Sequence, residues 1–231
     1  MKIKISATLL IFFAFYSFIS AQNTFRIRKE YKSECTGTTK VLIETQEFNS
    51  AGKIIKSIKE NKKTTTFEYD SNNNLISKTH RDSSNKITRY NKIYYNLTDG
   101  SSIDTLFNSD ASIHTIFHRR HSKNKNEDII TWDLPQYKGS TIIQTIKLDE
   151  NKNELENKLC SSSAECTTTI NTFEGNQLVK SESYRKEEMY RIPILYETQT
   201  FEYNNSGRLS KTTVQNNLSN SCSFILEYSY E

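Results

Sequence analysis

The stretch "HTIFHRRH" brings three histidines, His114, His118 and His121, together with Arg119 and Arg120. On a helix the three rings share one face at i, i+4 and i+7, a spacing that binds a metal such as zinc. On a strand His114 and His118 stand about 13 Å apart and His121 points to the other face. Ile113, Ile116 and Phe117 are spaced as a short amphipathic helix requires, so both conformations stay open here. The two arginines repel a cation, and no metal or other cofactor is expected. With Lys123 and Lys125, Arg119 and Arg120 also form a positive tip. Such a tip suits acidic head groups, anionic glycans or an acidic patch on a partner, and is otherwise a solvated hairpin end.

The neighbouring stretch "EDIITWDLPQYKGS" holds the only tryptophan, Trp132, with Pro135 and Tyr137. These aromatics suit a ligand contact or, in the plainer reading, a hydrophobic plug or edge cover. The candidate binding residues are therefore His114, His118, Arg119, Arg120, His121, Trp132 and Tyr137. Asp128, Asp133, Asp149 and Glu150 are numerous enough to include a glycosidase pair, but nothing in their spacing selects two. No Gly-x-Ser-x-Gly elbow, His-Glu-x-x-His, phosphate loop or Cys-x-x-Cys is present. The expectation is a protein without enzymatic activity.

The elements that must hold these residues are written as repeats. "TFEYDSNNNLISKTH" (Thr66 to His80) and "TFEYNNSGRLSKTTV" (Thr200 to Val214) share one grammar, which "TQEFNSAGKIIKSI" and "NTFEGNQLVKSES" follow. Polar and aromatic residues alternate, a turn rich in Asn, Ser or Gly follows, and an aliphatic residue opens a second alternating run. Anchors at Phe48, Tyr69, Tyr95, Leu148, Phe173, Tyr203 and Tyr230, with a degenerate copy near His118, recur every 21 to 30 residues. That period fits a β-hairpin and its return connection. Phe67 and Tyr69 share a face opposite Glu68, and Asn72 to Asn74 or Gly207 supply the positive φ of a tight turn. The aromatics read as core residues.

On these residues the chain resembles the YD-repeat proteins, the tyrosine–aspartate repeats of Rhs-type and small exported bacterial proteins. Tyr69-Asp70 carries the dipeptide, Tyr203-Asn204 departs from it, and Gly207-Arg208-Leu209 matches the Gly-x-Leu that follows the turn. Two units match closely and the others weakly. The resemblance implies an antiparallel meander curled into a shell or barrel-like form. It implies no activity in the repeats, since large Rhs proteins carry toxic chemistry in separate terminal domains, of which none is expected here.

Eight strands before turns and seven after predict an all-β antiparallel meander of about fifteen strands, a curled single sheet or a barrel-like shell. With an odd number, the first and last strands run the same way and start at one rim. Cys35 lies near the start of the first and Cys222 at the start of the last. Four cysteines allow three connectivities, of which Cys160 with Cys166 and Cys35 with Cys222 is the expected one.

Residues 1–21 read as a signal peptide, with Lys2 and Lys4 before an apolar run from Leu9 to Ile19 and Ser20-Ala21 at the cleavage point. Its removal lowers the net charge from +4 to +2, too little for a nucleic-acid binder on bulk charge. No second apolar run approaches membrane-spanning length, so the mature chain is not expected to be transmembrane. Residues 22–231 read as one domain, exported to a periplasmic, outer-surface or secreted location. Two functions fit: a scaffold that binds a protein or a cell-surface glycan, and a barrel that carries a lipid or small apolar ligand.

Overall fold

The computed structural model describes residues 26–96, 98–122, 126–134, 141–161, 165–186, 192–219 and 221–231. The proposed signal segment, Lys123, Lys125, Pro135 and Tyr137 lie outside them. The described residues form strands and turns only. The first eight strands are β1 (Ile27–Ser33), β2 (Val41–Phe48), β3 (Ile54–Lys59), β4 (Thr64–Tyr69), β5 (Leu75–Arg81), β6 (Ile87–Tyr95), β7 (Ser102–Asn108) and β8 (Ile113–Ser122). The second eight are β9 (Glu127–Asp133), β10 (Thr141–Leu148), β11 (Glu154–Cys160), β12 (Cys166–Glu174), β13 (Gln177–Lys186), β14 (Ile194–Tyr203), β15 (Leu209–Asn216) and β16 (Ser221–Tyr230). Each pairs antiparallel with its neighbours in sequence, and β1 pairs antiparallel with β16, so the sheet closes as a barrel.

The fifteen strands expected from the repeats are β2 to β16, and the sixteenth, β1, precedes the first repeat. Its sequence, "IRKEYKS", has no aromatic-turn-aliphatic signature, so repeat counting passes over it. The count matters for closure. An up-and-down meander returns antiparallel to its start only with an even number of strands, and β1 supplies the missing one. The expected disulfides, Cys35–Cys222 and Cys160–Cys166, are both formed. Cys35 follows the end of β1 and Cys222 lies at the start of β16, so both bonds sit at one rim, here the cystine rim. At the opposite rim Arg26 and Ile27 N–H donate to the carbonyl of Glu231.

The turn grammar has a physical basis. Asp70 Oδ1 accepts the N–H groups of Asn72 and Asn74 at 2.9 and 2.8 Å. Asn204 repeats this clasp with Ser206 and Arg208, both at 3.0 Å, and Asn49 with Ala51 and Lys53 at 3.0 and 2.9 Å. The fourth residue of each turn is left-handed, Asn73 at φ 61° and Gly207 at φ 71°. Asn and Gly accept that conformation at low cost.

The tyrosine has a second task. The ladder between β3 and β4 starts at Lys56, which leaves the carbonyl of Ile54 beyond it. Tyr69 Oη–H donates to that carbonyl at 2.8 Å. In the same way Tyr95 reaches Leu75 at 3.0 Å, Tyr203 reaches Leu178 at 3.0 Å and Tyr230 reaches Leu209 at 2.6 Å. Asn171 substitutes on β12, donating to Glu154 at 2.8 Å. Each hydroxyl thus satisfies a main-chain acceptor stranded by a bulge in the preceding hairpin. The β7–β8 and β9–β10 ladders run to the start of β7 and β9, so no carbonyl is stranded there.

The inner face is mixed. Phe48, Ile130, Ile146, Leu159, Leu178, Leu209 and Val214 are buried, and so are Gln46, Ser57, Asn91, Thr115, Gln144, Asn157 and Thr212. Adjacent strands satisfy many of the polar groups, as in Asn91 Nδ2 to Asp104 Oδ1 at 2.7 Å and Gln144 Nε2 to Asn157 Oδ1 at 3.0 Å.

Candidate functional site

β8 and β9 form the hairpin whose repeat signature is weakest, and they carry six of the seven candidate residues. The open choice between helix and strand resolves as strand over all three histidines. Alternation then separates them. The register pairs Phe117 with Trp132, Arg119 with Ile130 and His121 with Asp128 on the inner face; His118 with Thr131 and Arg120 with Ile129 lie on the outer face. His114 occupies the unpaired position of a bulge at the start of β8. The three rings do not converge. Among the described residues no group of three or more His, Cys, Asp or Glu is arranged to hold a metal ion.

On the inner face Asp128 organises the charges. Arg119 donates to Oδ2 through Nε at 3.1 Å and through Nη2, and His121 Nδ1–H donates to Oδ1 at 2.7 Å. The Asp128 side chain is 5% exposed and that of Arg119 46%, so the guanidinium takes the solvent side and covers the carboxylate. Nearby, burial pushes the Glu154 carboxyl above its ordinary value, against a hydrogen bond from Asn157. Trp132 packs edge-on to Phe117 with ring centroids 5.1 Å apart, and its buried indole N–H has no hydrogen-bond partner. Both Asp128 oxygens are occupied by donors, and among the described residues no hydroxyl or thiol bonds to Asp128. Its chemistry is that of an ion-paired strut.

On the outer face His118 Nε2 lies 3.0 Å from Asp133 Oδ2. His118, Arg120, Ile129 and Thr131 line a shallow groove of about 360 Å³. Strand pairing extends this row from Thr131 to Ile143 on β10 and from His118 through Ile103 on β7 to Tyr94 on β6. Tyr94 is 62% exposed, and Ile103, Ile129 and Ile143 are exposed with it. Tyr90 and Phe107 stack on the same wall with centroids 4.9 Å apart. Cross-strand ion pairs also line the outer wall, Glu47 with Lys56, Lys147 with Glu156 and Glu202 with Lys211, and Ile55, Ile76, Leu155 and Ile170 are further exposed apolar residues on other strands. The β6–β10 wall therefore combines exposed apolar residues with Arg120 and His118.

Of the four carboxylates considered for a glycosidase pair, Asp128 falls on the inner face, Asp133 on the outer face, and Asp149 and Glu150 are chain neighbours in the β10–β11 turn. Asp149 Oδ1 is taken up in that turn by the N–H of Asn153 at 2.7 Å. Tyr94, Ile103, Ile129 and Ile143 did not stand out in the sequence, because only the strand register places them in one row with His118.

No family model matches the chain, and no curated protein resembles it. Solved structures with a related course include a porin-like protein from Bacteroides uniformis, 10% identical, covering 91% of this chain and 98% of that one at a TM-score of 0.46. A porin-like protein from Bacteroides vulgatus is 9% identical, covering 88% and 97% at 0.45. The Tc holotoxin pore of Photorhabdus luminescens is 10% identical over 84% of this chain and 13% of that one, at 0.34. At these scores the likeness carries no functional argument. The closed antiparallel β-repeat barrel rests on the chain's own strand pairing.

Proposed function

We propose that this is an exported, non-enzymatic β-repeat barrel of the YD-repeat kind, which binds a protein partner through the outer wall of β6 to β10. The observation that carries this reading is the row Tyr94, Ile103, His118, Thr131 and Ile143, which sets exposed apolar residues side by side around a basic groove. Contiguous apolar surface rimmed by polar groups marks interaction sites on soluble proteins. Two disulfides support export, since such bonds persist in oxidising compartments. The ion pairs on the outer wall suit water rather than hydrocarbon, where charges on the lipid face cost about 2–4 kcal/mol at the midplane. A lipid or small apolar cargo inside the barrel would meet Arg119, Asp128 and Asp104, which favours the outer-wall reading.

The test is site-specific photocrosslinking in the native host, with a benzophenone amino acid at Tyr94, at Ile103, or at Glu202 on the ion-paired wall. The expected result is one discrete adduct from Tyr94 and Ile103, lost with Arg120→Glu, and none from Glu202. Equal labelling from all three positions, or none from any, overturns the reading. Binding to a glycan array that Tyr94→Ala abolishes, without a protein adduct, would make the partner a surface glycan.

A further inference from the structure

β1 closes the barrel, and a carboxylate stands midway along its inner face. Glu30 is registered opposite Glu44 on β2 and opposite Tyr228 on β16. Directly opposed side chains in an antiparallel ladder have Cβ atoms about 5 Å apart, and like charges placed so destabilise the pairing. The surrounding groups are already committed. On β1, Arg28 Nη2 donates to Gln46 Oε1 at 2.6 Å, and the guanidinium lies 6.0 and 5.5 Å from the ring centroids of Phe48 and Tyr228. Also on β1, Lys32 sits over the Phe224 ring at 4.1 Å. On β3, Ser57 Oγ–H donates to Glu44, and Lys59 is registered opposite Glu44. On β16, burial pushes the Tyr228 phenol upward, so the group beside Glu30 stays neutral.

We propose that β1 is held in the wall by a proton on the Glu30–Glu44 pair, and that it loosens from β2 and β16 when this proton leaves to solvent. Burial first, and then the Glu44 charge, push Glu30 up to about 7, while Arg28 and Lys59 pull the other way. A carboxyl raised in the folded state gives stability that is complete below its ordinary value of 4.5 and is lost as pH rises through about 7. The loosening is local. Cys35–Cys222 ties the end of β1 to the start of β16, so the part of β1 nearer Ile27 is released while the cystine rim stays joined.

The experiment is amide hydrogen exchange on the oxidised protein at pH 5.5 and 8.5, corrected for intrinsic rates, comparing β1 with β13 and β14. The expected result is a fall in β1 protection of roughly tenfold or more at pH 8.5, the factor one displaced pKa unit supplies, with β13 and β14 unchanged. Glu30→Gln flattens the β1 profile. Glu44→Gln removes the opposed charge and leaves burial acting on Glu30, so it makes the fall smaller without abolishing it, and it serves if Glu30→Gln fails to fold. β1 protection that parallels β13 and β14 at both pH values overturns the proposal, as does a pH dependence that Glu30→Gln leaves in place or that Glu44→Gln does not reduce.

Discussion

The Tyr203 hydroxyl donates to the main-chain carbonyl of Leu178 at 3.0 Å, joining the end of β14 to the start of β13. The β13–β14 ladder starts at Lys180, so this bond satisfies an acceptor that lies beyond it. Tyr203→Phe keeps the ring and removes only the bond. The expected loss is about 1 kcal/mol, read as a lower urea midpoint with unchanged slope. Tyr90→Phe, which alters a stacked ring on the outer wall, serves as the comparison and is expected to stay within about 0.5 kcal/mol. Equal effects from the two would remove the latch from the account.

Asp70 clasps its turn while half-buried. The Asn74 side-chain amide, then the Asn74 and Asn72 backbone N–H groups, hold its carboxyl below the ordinary range. A depressed folded value means that the contribution is present above the unfolded value and is lost as pH falls through the folded one. A carbon-detected titration of Asp70 is therefore expected to give a midpoint under that of a free aspartate. Asn74→Ala moves it upward, and an unmoved midpoint would show that the clasp does not set it.

The two disulfides differ in the chain they enclose, with sequence separations of 187 and 6. Loop-closure entropy predicts losses of about 5 kcal/mol for the Cys35→Ser/Cys222→Ser pair and about 2 kcal/mol for Cys160→Ser/Cys166→Ser. Urea denaturation of the two double variants checks the order. A reversed order would mean that the bonds act on native geometry rather than on the unfolded chain.

Asp128 is buried beneath Arg119 and accepts from two cationic or polar donors. Asp128→Asn leaves both donors with a poorer acceptor and is expected to cost about 2 kcal/mol, less than a wholly buried ion pair because Arg119 reaches water. Asp133→Asn, on the exposed outer pair with His118, is expected to stay within about 0.5 kcal/mol. Thermal denaturation of both separates strut from surface pair.

Much of this barrel is legible in the chain. Phe67 and Tyr69 on one face, the clasp at Asp70 and the left-handed Asn73 follow from alternation and turn chemistry. The Cys35–Cys222 bond follows from counting strands, and Cys160–Cys166 from a five-residue loop of the right size to close a hairpin. β1 escapes because closure is a property of the whole circuit, and "IRKEYKS" alternates charged residues as a solvated segment would. The histidines mislead for a related reason. His118 and His121 are close in sequence, but the pleat places them on opposite sides of the wall, and only the β8–β9 register shows that each meets a different aspartate. Tyr137 falls outside the described residues.

Closure through β1 also sets how such a wall can change size. Its circumference is quantised in hairpins: gaining or losing one whole repeat alters the count by two strands and leaves the β1–β16 ladder antiparallel, whereas a single strand more or less would set those two in parallel. Repeats such as those turning at Asn49, Asp70, Asp149 and Asn204 bring their own turn clasp, and most repeats bring their own reach to the preceding one, so a new unit of this kind carries its joint with it. The hairpin of β8 and β9 is then the place where the chain has traded the common joint for individual features without breaking the circuit.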